Sequence, residues 1–172
     1  MNLENNGIFF KEIREGHRWQ LWAGFQFLTE GFIVQVPVLK IRPNRQEIDS
    51  YTDEGDIYIW RNNTKEEFLR FECKSRNLSF TTNQDYPFPT AFVDRVNTWR
   101  RKAKKVPAAI LLISQVTGVI LAIPTWTQHK WFIKDAHDSV RGYRRQYYMI
   151  QSAHLVNWDT LISQIKGQME LC

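Results

Sequence analysis

Apolar positions recur at nearly helical spacing through FFKEIREGHRWQLWAGFQFLTEG, at Ile13, Leu21, Phe25 and Leu28, with His17 in the same phase. The pattern predicts a long first helix that stops at Gly31, the residue suited to close a helix C-terminus. FIVQVPVLKI is rich in β-branched residues and predicts a strand, with Pro37 marking an edge or a bulge. RPNRQEIDSYTDEG is polar and reads as a loop. DIYIW and LRFECK then predict two strands, with Asn62, Asn63 and Thr64 as the turn material between them. NLSFTTNQDYPFPT reads as a loop carrying two prolines. AFVDRVNTWRRKAKK reads as a helix with Phe92, Val93, Val96 and Trp99 on its apolar side, ended by Pro107. AAILLIS and GVILAIP predict a hairpin turning at Val116, Thr117 and Gly118, and WDTLISQIKGQMEL predicts a last helix with Asp159 near its start.

This order, helix, three strands, helix, two strands and a tail, predicts an α/β (α+β) layer arrangement around one sheet. Residues 1–124 are expected to form the core, and 125–172 an aromatic and basic C-terminal extension packed on it, for DNA contact or dimerisation. A chain of 172 residues fits one domain, and its seven Trp and eleven Phe supply large apolar side chains for a core. The most apolar stretch is interrupted by Ser114, Gln115, Thr117 and Gly118, which argues for buried strands rather than a membrane helix. MNLENNGIFF lacks the basic start and apolar run of a signal peptide, and two cysteines build no disulfide framework. A cytoplasmic protein is therefore expected. The formal charge of +5 and a pI near 9.3 tilt the expected partner toward an anion, nucleic acid first.

Strand periodicity then places the chemistry. Side chains alternate between faces, so Leu69, Phe71 and Cys73 share an apolar face while Arg70, Glu72 and Lys74 share the other. In the preceding strand Asp56, Tyr58 and Trp60 face away from Ile57 and Ile59. A turn centred on Thr64 sets Asp56 opposite Glu72, with Cβ atoms about 4.5–5.5 Å apart; a two-residue slip sets it opposite Arg70 or Lys74 instead. Facing carboxylates repel, and a divalent cation between them removes the conflict. Hard oxygen ligands favour Mg²⁺, or Mn²⁺ in its place. Lys74, on the same face, is positioned to hold an attacking water or to offset charge developing on a phosphorus. The competing reading is a row of ordinary solvated charges on an exposed strand face.

An acid opening one strand, a short turn, then Glu72-Cys73-Lys74 in the next resembles the PD-(D/E)XK nuclease superfamily, over about Gly16 to Ser114. The resemblance implies a restriction-endonuclease-like core in αβββαβ order and Mg²⁺-dependent phosphodiester hydrolysis. It assigns the metal to Asp56, Glu72 and the backbone carbonyl of Cys73, with Lys74 as the catalytic lysine. Gly55 stands where the family often has proline. Counting back from Gly31-Phe32 to the helical glutamate of many members lands on Gln20, a neutral amide, with Glu15 and Glu30 as nearby acids.

Arg100, Arg101 and Lys104 on the basic helix, with Arg141, Arg144 and Arg145 in RGYRRQYY, are the expected DNA contacts, against a plain solvated surface. Gln115 reads as a hairpin residue, and His129 and His137 lack zinc-like spacing. His17, on the first helix, reads as packing. The expected function is a Mg²⁺-dependent endonuclease on double-stranded DNA, site-specific of the homing or restriction kind, acting as a homodimer or larger homo-oligomer. A Holliday junction resolvase and a non-catalytic nucleic-acid-binding module on the same fold are the alternatives.

Overall fold

The computed structural model describes residues 3–38, 56–61, 66–102, 106–138 and 143–170. The loop at 42–55 with Gly55, the turn at 62–64, Lys104 and Arg141 lie outside the described residues. The elements run α1 (Leu3–Thr29), β1 (Ile33–Gln35), β2 (Ile57–Trp60), β3 (Glu67–Arg76), β4 (Thr90–Arg95), α2 (Val96–Arg101), β5 (Ala109–Ser114), β6 (Ile120–Pro124), β7 (Phe132–Asp138), β8 (Tyr143–Gln151), β9 (Val156–Asn157) and α3 (Trp158–Glu170). The class is mixed α+β.

A six-stranded sheet has the order β1-β2-β3-β5-β6-β9, mixed because β3 and β5 run parallel while the other pairs are antiparallel. Its centre is apolar on both faces, as a doubly covered sheet requires. Ala109, Leu111 and Ile113 of β5 join one core cluster with residues of α1 and α3, while Ile110 and Leu112 join a second. That second cluster includes Ala91, Val93 and Ile150, from a three-stranded sheet β4-β8-β7. Helices thus cover one face of the main sheet and a small sheet covers the other. Among the described residues no helix is long and apolar enough to cross a membrane.

Gly31 closes α1 with φ at 90°, and the end carries a paired closure. The Phe32 amide donates to the Phe27 carbonyl at 3.2 Å and the Gly31 amide to that of Leu28 at 3.0 Å. The packed stripe of α1 differs from the one the periodicity suggested. Leu21, Phe25 and Leu28 are about half exposed, whereas Ala23 and Phe27 are fully buried. Phe27 meets Phe71 and Trp158 with ring centroids 4.7 and 4.6 Å away, and burying one such ring is worth roughly 1.5–3 kcal/mol. Gly24, on the same stripe, lies so close to the chain after β1 that a Cβ there would come 2.6 Å from Val36 Cγ2. Gln20 stands seven residues before Phe27, two turns along the same side. Packing of Phe27 therefore aims Gln20 at the sheet.

Two further sequence expectations are corrected. AFVDR is not the first half of a helix but strand β4, paired antiparallel with β8, and the helix is cut to Val96–Arg101. The run fits a two-residue period as well as a helical one, and the ladder with β8 decides for the strand. The second correction concerns the number of sheets. Residues 132–151 supply β7 and β8, which with β4 make a sheet separate from the main one.

A candidate catalytic site at the start of strand β2

Antiparallel β2 and β3 pair Ile57 with Phe71, Tyr58 with Arg70 and Ile59 with Leu69, before a shift sets Trp60 against Glu67. The first three pairs follow the register that centring the turn on Thr64 gives, and they bring position 56 level with 72. The Asp56 amide donates to the Phe71 carbonyl at 3.0 Å. The Asp56 side chain then takes the place of the next ladder acceptor. Its Oδ2 accepts from the Cys73 amide at 2.5 Å, and its Oδ1 accepts from Gln20 Nε2 at 2.8 Å. Strand alternation directs the Cys73 amide and carbonyl to the same sheet edge, so the Cys73 carbonyl lies on the Asp56 side. The Cys73 side chain packs against the core cluster below.

Gln20 transmits order further. Its amide nitrogen is committed to the Asp56 carboxylate, so its Oε1 faces His17 Nδ1, 3.0 Å away. Nδ1 must therefore carry the hydrogen of that bond. His17, assigned to packing from the sequence, instead holds the far end of a His17–Gln20–Asp56 chain.

Glu72 and Lys74 leave β3 on the face turned toward the small sheet. Lys74 Nζ donates to Glu72 Oε1 at 2.7 Å and lies 3.8 Å from Asp94 Oδ1. Lys102 Nζ donates to the other Glu72 oxygen and, at 3.0 Å, to Asp94 Oδ2. Burial, the largest single influence, pushes the Glu72 carboxyl up, but Lys74 and Lys102 together outweigh it and hold the group below the usual carboxylate range. Burial likewise lowers Lys102, and Glu72 with Asp94 reverse it, leaving the ammonium above its usual value. Asp94, 5 % exposed, and Lys102 were missed by the sequence reading. A helix over AFVDR turns Asp94 to solvent, whereas in β4 the register shift between Phe92 and Asp94 sets Asp94 opposite Tyr148, which packs against the second core cluster, and so turns it to the buried side. Lys102, directly after α2, turns back to the acids while Arg100 and Arg101 are exposed.

Gln20 and Asp56 thus form one set with the Cys73 amide, and Glu72 and Lys74 form another with Asp94 and Lys102, the two sets meeting at β3. Three carboxylates and two ammonium groups give a formal charge of −1, from −3 and +2. Among the described residues no three His, Cys, Asp or Glu side chains converge as a closed cage. Paired carboxylates without an imidazole or thiolate fit a hard cation that keeps much of its water, such as Mg²⁺, better than Zn²⁺. Of the basic residues expected to bind DNA, Arg144 is exposed on β8 and Arg145, its neighbour, is half-buried on the opposite face.

No family model matches the chain, and no curated protein matches it. Among solved structures it is similar to a bacterial homing endonuclease at 13 % identity and a TM-score of 0.44, covering 91 % of this chain and 95 % of that one. It is also similar to a nuclease from a fusselovirus at 13 % identity and a TM-score of 0.49, covering 88 % and 91 %.

Proposed function

We propose that the protein is a Mg²⁺-dependent endonuclease of the PD-(D/E)XK kind, hydrolysing phosphodiester bonds in DNA. The observation that supports the proposal is the β2–β3 register, which brings Asp56 level with Glu72, with Lys74 paired to Glu72 on the same strand. Asp56, Glu72 and the Cys73 carbonyl are the groups that would hold the cation. Bound there, the ion would polarise a phosphate oxygen and lower the pKa of a water. The site's formal charge of −1 suits one divalent ion better than two.

The chain's own residues do the rest. Gln20 and the Cys73 amide hold both Asp56 oxygens, fixing the carboxylate before substrate arrives. Lys74 places a positive charge where negative charge develops on the phosphoryl oxygens. Lys102 tethers Glu72 to Asp94. With one site per chain, cutting both strands of a duplex takes two copies, so a homodimer and site-specific action of the homing or restriction kind complete the proposal; a junction resolvase has the same requirement.

The lysine contacts of Glu72 also favour a second reading, a non-catalytic nucleic-acid-binding module in which the acids and lysines form only a structural ion-pair network. Incubation with supercoiled plasmid, a four-way junction and a single strand, each with Mg²⁺ or EDTA, separates the two. Cleavage that EDTA stops is expected, and the substrate cut identifies the class. Binding of all three substrates without cleavage of any favours the module.

A further inference from the structure

The outer face of the small sheet is not left to solvent alone. With β3 and α2 it walls a cleft of about 650 Å³ that opens beside the catalytic site, with Lys74 and Asp94 on its lining. That size falls within the range of about 300–1,000 Å³ typical of small-ligand sites. Among the described residues, Lys74, Arg76, Arg95 and Lys134 bring positive charge to the lining against the single acid Asp94, and Phe92 and Tyr147 bring rings. The two rings meet edge-on, centroids 5.1 Å apart at 61°. Lys74 Nζ lies 5.3 Å from the Phe92 centroid and the Arg76 guanidinium carbon 6.0 Å from it. Cations and rings are thus interleaved within one cleft.

A stacked duplex presents phosphates on its outside and hides the faces of its bases. Such a surface satisfies the lysines and arginines but gives Phe92 and Tyr147 nothing to contact. A nucleotide separated from its duplex partner satisfies both sets, its phosphate on the cations and its base against the rings. We propose that this cleft seats an unpaired nucleotide next to the bond to be cut, so that the strand reaches Lys74 single-stranded or locally unpaired. The proposal rests on the nuclease reading for the word "cut" but not for the binding itself.

Binding of labelled (dT)12 and of a blunt duplex of the same length, both in EDTA, tests it with wild type, Tyr147→Leu and Tyr147→Phe. The single strand is expected to bind wild type more tightly than the duplex does. Tyr147→Leu is expected to weaken the single strand roughly tenfold, the loss of one base stacked on a ring, and to leave the duplex unchanged. Tyr147→Phe, which keeps the ring, retains binding. Equal losses on both substrates, or no loss on the single strand, overturn the proposal, as does a Tyr147→Phe protein that binds no better than Tyr147→Leu. Cleavage of the same DNAs by wild type in Mg²⁺ is scored separately. Cleavage with Tyr147→Leu binding as wild type refutes the cleft alone, whereas intact single-strand binding without any cleavage refutes the nuclease reading alone.

Discussion

Lys74→Ala is expected to slow DNA cleavage by at least about a hundredfold, the scale of losing one preorganised charge at a developing oxyanion. Asp56→Asn is expected to do the same, because a neutral amide keeps the Cys73 amide contact but gives up the anionic ligand. Each change removes one of several partners in its network, Lys102 still joining Glu72 and Asp94 when Lys74 is lost, so both proteins should fold with reduced stability, and their DNA binding in EDTA should fall far less than their cleavage. Single-turnover cleavage assays beside anisotropy measurements separate the two effects. Cleavage that survives either substitution places the chemistry elsewhere, and equal losses of binding and cleavage make the residue a DNA contact instead.

The next largest effect is expected on stability, from Lys102→Met. Glu72 and Asp94 are both largely buried, with side chains 13 % and 7 % exposed, and each accepts from Lys102. Removing the lysine leaves two acids sharing Lys74, and breaking a buried ion pair by deleting one partner typically costs about 3–5 kcal/mol. The pH dependence carries a sign. Glu72 is held below its usual value, so its contribution is present above the unfolded value of about 4.3 and is lost as pH falls through the lower folded one. Lys102 is raised, so its contribution is present below about 10.4 and is lost as pH rises through the higher folded value. The penalty of Lys102→Met should therefore be full at neutral pH and shrink in acid. Urea unfolding of both proteins at about pH 7 and pH 3 checks this, with Asp94→Asn in the Lys102→Met background expected to restore part of the loss at neutral pH. A penalty of equal size at both pH values contradicts the charge network.

Much of the site was legible in the sequence because it sits on paired strands. Period-two alternation separates Phe71 and Cys73 from Glu72 and Lys74 with no knowledge of the fold. The β2–β3 register follows from the short spacing between the strands, and it holds over residues 57–59 before the ladder slips at Trp60. What escaped lies on contacts distant in sequence. Asp94 reaches the site because β4 pairs with β8, more than fifty residues later, and a single-chain periodicity holds no trace of that partner. Lys102 follows from the same cause, since the strand reading shortens α2 and ends it where the lysine turns inward. The packed face of α1 was likewise hidden. Leu21, Phe25 and Leu28 are larger and more regularly spaced than Ala23, Gly24 and Phe27, yet close approach to β1 and its neighbours favours the small residues. The His17–Gln20–Asp56 chain depends on which way one amide points, and only the carboxylate opposite it decides that.

The central claim is that Asp56 and Glu72 hold a divalent cation, and it can be tested without knowing which DNA is cut. Mn²⁺, a stand-in for Mg²⁺ at oxygen-ligand sites, titrated into the protein in a calorimeter should bind at one ion per chain. The Asp56→Asn protein, folded to the same helical content, should lose that binding. Saturable Mn²⁺ binding of unchanged strength in Asp56→Asn, or none in wild type, would contradict the account.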